Sequence, residues 1–453
     1  MTAPEASLAS FVASTRLEDV PADTLARVRL FVLDALACAF AGHPAAERPT
    51  MERVAAEVFG PGICTVLAGS PLAPAGAAFL NGFKLTAATV CDVHRATLTH
   101  VLPEVLPAAL ATAELDGASG RDLLSGLVVG MEVTIRVAQA LDVPSYRQRG
   151  WHNPGIAGAI GAAAACARVS GLGETGIRHA ISHAASQAAG TFAALGTSGV
   201  KVHQARGAVS GLLAGRLAAA GVTAAEDGLS AERGGLLAAY ADGGSPEHLV
   251  DGLGRSWELG TIALRRWPGA SSLQPVIAAA LAIRETLDIE PGQDAMLAGI
   301  ESVRVDLPPR AYAMNGERGW SSQLSALQSA RWMVAVALQD GDPWVEQTNP
   351  ERLGDPAVAG FAREQVTVAG DVWVTGKGAR VTVHDRRGVE HVHQVDVPPG
   401  DPDLPLDAAA VRAKLERAAA GIGLGARVPA IVDAVGSLDA APSVSAFLDL
   451  LSA

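Results

Sequence analysis

The run GIAGAIGAAAACA (155–167) has no polar face. At helical spacing every side of it is small or apolar, so it belongs at the centre of a bundle, with its neighbours packed very close. It is too short and too rich in Ala and Gly to span a bilayer. Nearly every segment from about residue 5 to 250 shares its helical period. ADTLARVRLFVLDALACAFAG (22–42) places Leu25, Val28, Phe31, Val32, Leu36 and Phe40 on one stripe and stops at Gly42. GRDLLSGLVVGMEVTIRVAQAL (120–141), TGIRHAISHAASQAAGTFAAL (175–195) and the longer stretch 155–172 predict helices by the same logic. Aromatics make up only 4% of the chain, so the shared core is mostly Ala, Leu and Val.

The pattern changes near residue 258. ELGTIALRRW and SVRVDLP (302–308) alternate as strands do, and VWVTGKGARVTVHDRRGVEHVHQVDV (372–397) reads as three short strands joined by Gly-containing turns. Helices at 272–287 and 321–338 are interleaved with them, which makes an α+β unit. PPGDPDLPLD (398–407) then leads into further helices. A chain of 453 residues exceeds what one core usually holds. The expected fold is mainly α: a large all-helical domain over 1–260, completed by 402–453, with a smaller α+β domain inserted at 261–401.

Charge and cysteine usage narrow the partners. Net charge is −12, which argues against nucleic acid and against an anionic membrane. An anionic ligand would need a local basic cluster. Lys84, Lys201, Lys377 and Lys414 are the four lysines among 35 basic residues, so a Lys in an unusual place stands out. Cys38, Cys64, Cys91 and Cys166 lack CxxC spacing and sit among small apolar residues, as buried free thiols do. The N-terminal stretch lacks the basic and apolar regions of a signal peptide. A reducing, cytoplasmic setting is expected.

There is no GxGxxG after a strand, no P-loop, no GxSxG and no HExxH. His391 and His393 share one strand face, but no third metal ligand is evident, so an exposed edge strand is expected there and no metal or cofactor is implied. Three stretches place polar groups at the starts of apolar helices. In CDVHRATLTHVLPEVLP (91–107), Asp92, His94 and His100 precede a Pro-punctuated helix start, where free N–H groups favour an anion or a capping side chain. In SYRQRGWHNPG (145–155), Arg147, Arg149 and His152 precede the most apolar helix, and arginines there suit a carboxylate. In GTSGVKVHQARG (196–207), Lys201 and His203 follow a Gly/Ser loop. A desolvated Lys becomes a usable base, whereas a snorkelling Lys is the plain alternative. Arg265 and Arg266 in LRRWPGASS, and Tyr312 in LPPRAYAMNGERGWSS, lie beside the change of pattern. A Tyr there can donate a proton or simply pack.

RGWHNPGIAGAIGAAAACARVSGL with SHAASQAAGTFAA resembles the central signature of the MmgE/PrpD family. The resemblance continues through GVKVHQARGAVSGLLAGRLAAAG, LRRWPGASSLQPVIAAAL and SVRVDLPPRAY to SSQLSALQSARWMVAVALQDG, covering essentially the whole chain. It implies a helical domain with an α+β lid, a homodimer, and an active site where the two domains meet. It also implies a lyase of dehydratase type, with an isomerase second, acting on a small hydroxylated or unsaturated carboxylate. Decarboxylation and a non-catalytic dimeric relative are the further alternatives. By the same resemblance the family's central histidine falls on His152, its lysine on Lys201, its lid tyrosine on Tyr312, and the histidine before the helix start on His100. Asp92 joins these as a catalytic candidate, while Arg149, Arg265, Arg266, His94, His203 and Gln274 are candidate substrate-binding residues. The chain departs from the family pattern in three places: Arg265 stands for a usual Lys, Gln274 for a common His, and Asp92-Val93-His94 for Asp-Asp-Thr.

Overall fold

A computed structural model describes residues 3–287 and 295–452. The chain divides into two compact units, one formed by Met1–Ala87, Cys91–Ile262 and Asp407–Ala453, the other by Ala88–Val90 and Ala263–Leu406. The first unit is helical. Its main helices are α1 (Ala22–Ala41), α2 (Pro74–Ala87), α3 (Leu102–Asp116), α4 (Gly120–Leu141), α5 (Asn153–Val169) and α6 (Gly199–Ala219). The small helix α5 lies against α3, α4 and α6, and is buried along nearly its whole length. Close approach explains its glycines: a Cβ at Gly161 would stand 1.8 Å from Thr134 Oγ1 of α4, and one at Gly211 of α6 would stand 2.3 Å from Ala162 Cβ. The cost of Gly within a helix is offset by dispersion contacts that no larger residue would allow.

Helix α4 keeps both ends that its sequence predicts. Ser119 and Asp122 form a reciprocal capping box at its start. Among the described residues it is the one helix long and apolar enough to cross a membrane, and 94% of its apolar window is buried in the protein. The fully buried pair Glu132–Arg136 lies within it (2.7 Å). Arg136 donates to the carbonyls of His248, Asp251 and Ser256, while Glu132 accepts from the N–H groups of Glu258 and Leu259. Helix Ala408–Ala420 of the C-terminal segment packs on α1, and Lys414 Nζ donates to Asp34 there at 2.6 Å with both side chains buried. All four cysteines are buried and none forms a disulfide.

The second unit carries a four-stranded sheet of β1 (Ile300–Leu307), β2 (Val366–Gly370), β3 (Ala379–Asp385) and β4 (Glu390–Val395), in the order β2-β1-β3-β4. β1 runs parallel to β2, with Val303 opposite Val366, and antiparallel to β3, with Val303 opposite Val383. Helices Gln274–Thr286 and Ala330–Asp340 cover one face, and their apolar stripes meet Val303, Val305, Val381 and Val383 in one core.

Four expected elements differ. The helix expected over 175–195 ends at Ala185, because the following loop bonds to the start of α5 instead: His152 N–H donates to Gly190 O (3.1 Å) and Ala189 N–H to Gly155 O. The strand expected at 258–267 is a 3-10 turn over Glu258–Thr261, whose first N–H groups are taken by the Glu132 carboxylate. Of the three strands expected over 372–397 only two form. Asp371 Oδ1 accepts from Trp373 N–H and turns the chain there, while Val366–Gly370 supplies the parallel strand. The helix expected over 321–338 is broken, with Ser329 capping its second part.

Candidate active site

Within the helical unit, three segments far apart in sequence converge at the starts of α3, α5 and α6. The loop before α3 closes on itself. Asp92, buried, accepts from the N–H of Val101 (2.8 Å) and of Leu102 (3.2 Å), so its carboxylate satisfies donors that the first turn leaves free. His100 Nδ1 lies 2.6 Å from Asp92 O, and a carbonyl only accepts, so His100 carries its proton on Nδ1. Cys91 Sγ is 3.7 Å from the same nitrogen. Burial pushes the Asp92 carboxyl up to about 7, with Cys91 adding to the rise and His100 and the Val101 N–H opposing it. His94 is buried too, and its Nδ1 pairs with Thr97 Oγ1 (2.7 Å), while Asn153 Nδ2 donates to Thr97 O and ties this loop to the start of α5.

His152 occupies the position before α5, yet its ring does not cap the helix. It is 5% exposed, stands edge-on to Phe192 (5.5 Å between centroids), and brings Nδ1 to 3.0 Å from His203 Nδ1 of α6. Burial lowers its proton affinity well below the usual histidine range, and the positive charges of His100, His203 and Lys201 push the same way. Lys201, in the first turn of α6, is 9% exposed and donates from Nζ to Thr86 O at the end of α2 (2.7 Å). The geometry thus brings together Asp92, His100, His152, Lys201 and His203, with His94 in the adjoining loop.

Arg149 does not join this cluster. Its guanidinium pairs with Asp242 and donates to Tyr240 O, and the neighbouring Arg147 pairs with Asp142. The second unit holds the remaining candidates. Arg265 is 3% exposed and donates to Gly269 O (3.1 Å), whereas Arg266 is exposed with its guanidinium 5.0 Å from the Trp267 ring. Gln274 is fully buried. Its Oε1 accepts from the N–H of Arg266 and Trp267 and its Nε2 donates to Trp267 O, so it fixes the loop that carries both arginines. The Tyr312 hydroxyl donates to Glu317 Oε1 (3.0 Å), and that carboxylate raises the phenol's pKa. On the edge strand β4, His391 faces Asp385 at 3.5 Å, and no group of three metal-ligating side chains occurs among the described residues.

Glu104 went unread in the sequence. It lies in the first turn of α3, fully buried, and neither carboxyl oxygen has a hydrogen-bond partner. Glycines of two other helices make room for it: a Cβ at Gly158 would stand 2.6 Å from Glu104 Cγ, and one at Gly207 would stand 3.0 Å from it. Burial raises this carboxyl well above the ordinary range, and Asp92 and Cys91 raise it further. An acid inside HVLPEVLP is the available signal, but acids in a first helical turn are ordinarily read as dipole partners.

Residues 6–249 match the MmgE/PrpD N-terminal domain and residues 267–437 the MmgE/PrpD C-terminal domain. The chain is 28% identical to the cis-aconitate decarboxylase-like protein oryM of Aspergillus oryzae, over 99% of this chain and 97% of that protein. It is 27% identical to a cis-aconitate decarboxylase of Aspergillus terreus, over 99% of this chain and 95% of that one. A cis-aconitate decarboxylase of Homo sapiens is 30% identical over 58% of this chain and 56% of its own length.

Proposed function

Because this chain belongs to the MmgE/PrpD family, we propose that it is a lyase for a small unsaturated or hydroxylated carboxylate, using its own side chains as acid and base. The observation that carries the reading is His152, kept neutral by burial amid three groups that bear positive charge when protonated. A neutral buried imidazole both takes and gives a proton, and the surrounding charge favours carboxylates and a developing enediolate.

In a dehydration the proton leaves the carbon alpha to a carboxylate and hydroxide departs. In a decarboxylation the electrons of the bond to CO2 form a new double bond while the far alkene carbon takes up a proton. The relatives named cis-aconitate decarboxylase favour the second course. Lys201 and His152 serve as the proton carriers, with His100 and Asp92 beside them. Tyr312 returns or delivers a proton, and Arg265 and Arg266 hold carboxylates. Arg149 would first have to leave Asp242, so the clamp role rests on the other two.

Incubation of cis-aconitate and related di- and tricarboxylates with the protein in D2O tests this by NMR. Deuterium at carbon, or loss of CO2, is expected with the wild type and not with Lys201→Ala or His152→Asn. Neither change with any of these substrates would favour a dimeric scaffold that has lost the chemistry.

A further inference from the structure

The buried position of His152 raises a question that its own contacts answer. A proton taken at Nε2 would leave an imidazolium where burial, and then the nearby His100, His203 and Lys201, oppose charge. It must therefore leave by the other nitrogen, and that nitrogen points at His203 Nδ1, 3.0 Å away. Two imidazole nitrogens at this distance bond only if one carries a hydrogen and the other a lone pair. The pair thus holds one proton between its rings, and moving it needs no change of either ring's place.

The surroundings keep this geometry. Gly190 packs against both residues: its φ is +152°, and a Cβ there would stand 3.2 Å from His203 Nδ1 and 3.3 Å from His152 O. Arg206, one turn beyond His203, is fixed by the carbonyls of Gln187, Gly155 and Ala189. Partial burial of His203 lowers its proton affinity and the Arg206 charge lowers it further; His203 is half-buried where His152 is enclosed. The two rings therefore form a path from an enclosed site toward solvent, ending at a ring that does not retain the charge.

Resting on the reading of His152 as a proton carrier at carbon, we propose that His203 is a positioning residue that passes one proton from His152 Nδ1 to solvent for each proton that His152 takes at carbon. His152 accepts the substrate proton at Nε2 and gives its Nδ1 proton to Nδ1 of His203, which releases its Nε2 proton to water. Both rings end neutral with their tautomers exchanged. In the reverse sequence His152 gives its Nε2 proton to carbon and takes a replacement at Nδ1 from His203, which is refilled at Nε2 from water.

Two measurements test the relay. In protein labelled with 15N-histidine, assigned with His152→Gln and His203→Gln, one Nδ1 of the pair is expected protonated and the other bare. Two bare Nδ1 atoms would overturn the relay whether or not the protein is active. His203→Gln is expected to slow turnover about 10²-fold. His203→Ala is expected to slow it equally and to regain turnover with added imidazole, which a purely structural role would not allow. Wild-type turnover in His203→Gln, or a loss in His203→Ala that imidazole does not repair, would overturn the relay while leaving the proposed function intact. Neither deuterium at carbon nor loss of CO2 in the wild type with any substrate would overturn the function and the relay with it.

Discussion

Glu104→Gln isolates the buried carboxyl with a single atom exchanged. The folded protein encloses this side chain among α3, α5 and α6 without a hydrogen-bond partner for either oxygen. The carboxyl is therefore held neutral, with a folded pKa well above its ordinary 4.5. Between those two values the folded chain keeps a proton that the unfolded chain has released. Stability attributable to this group is thus fully present below the unfolded pKa and is lost as pH rises toward the folded one. The slope is about 1.4 kcal/mol per pH unit for one such proton. Gln has the same shape and no charge at any pH, so its own cost in the pocket, an unpartnered amide, is constant. The stability of Glu104→Gln relative to wild type should therefore rise with pH from about 5.5 upward, by about 1.4 kcal/mol for each unit until the folded pKa is reached. That is roughly 3 °C in melting temperature per unit for a unit of this size. Thermal melts of both proteins across this range measure it. Parallel melting curves at all pH values would mean that Glu104 ionises freely in the fold, and the account of its burial would be wrong.

Lys201→Ala should abolish turnover and also cost about 1–3 kcal/mol, because Thr86 O loses the donor at 2.7 Å; activity retained in a folded variant removes Lys201 from the mechanism. Lys414→Met should destabilise by about 3–5 kcal/mol, since Asp34 is left charged and enclosed; a loss under about 1 kcal/mol in urea titration would show that the pair is dispensable. Tyr312→Phe should lower kcat about 10²–10⁴-fold with little change in KM, and a near-normal kcat would leave the hydroxyl with only its contact to Glu317.

The helices were legible where the period was long and a local cap marked the ends. Helix α4 follows its sequence boundaries because Ser119 and Asp122 cap it and nothing distant competes. The misread segments were each decided by one or two bonds from elsewhere or from a neighbour. Glu132, more than a hundred residues earlier, takes the N–H groups of Glu258 and Leu259 that a strand would have used. Asp371 turns the chain at Trp373, and the start of α5 claims the backbone of Ala189 and Gly190. Propensity cannot anticipate a side chain that arrives through tertiary folding.

The site follows the same division. Asp92, His100, His152 and Lys201 stood out because each is polar at the start of an apolar helix, and the structure gathers them. What they do to one another was not legible, since it depends on how closely those helices approach. That closeness comes from the small residues of α5. Gly158 admits the Glu104 side chain, and Gly155 lets α5 lie against His203 of α6, a Cβ there standing 3.1 Å from that residue's Cβ. A bulkier α5 would hold the helices apart, admit water and return both carboxyl and imidazole toward ordinary proton affinities. The composition that forces α5 to the centre of the bundle is therefore also what shifts the proton affinities of the groups around it. Gly158→Ala is expected to perturb Glu104 and Asp92 together, by displacing the first turn of α3.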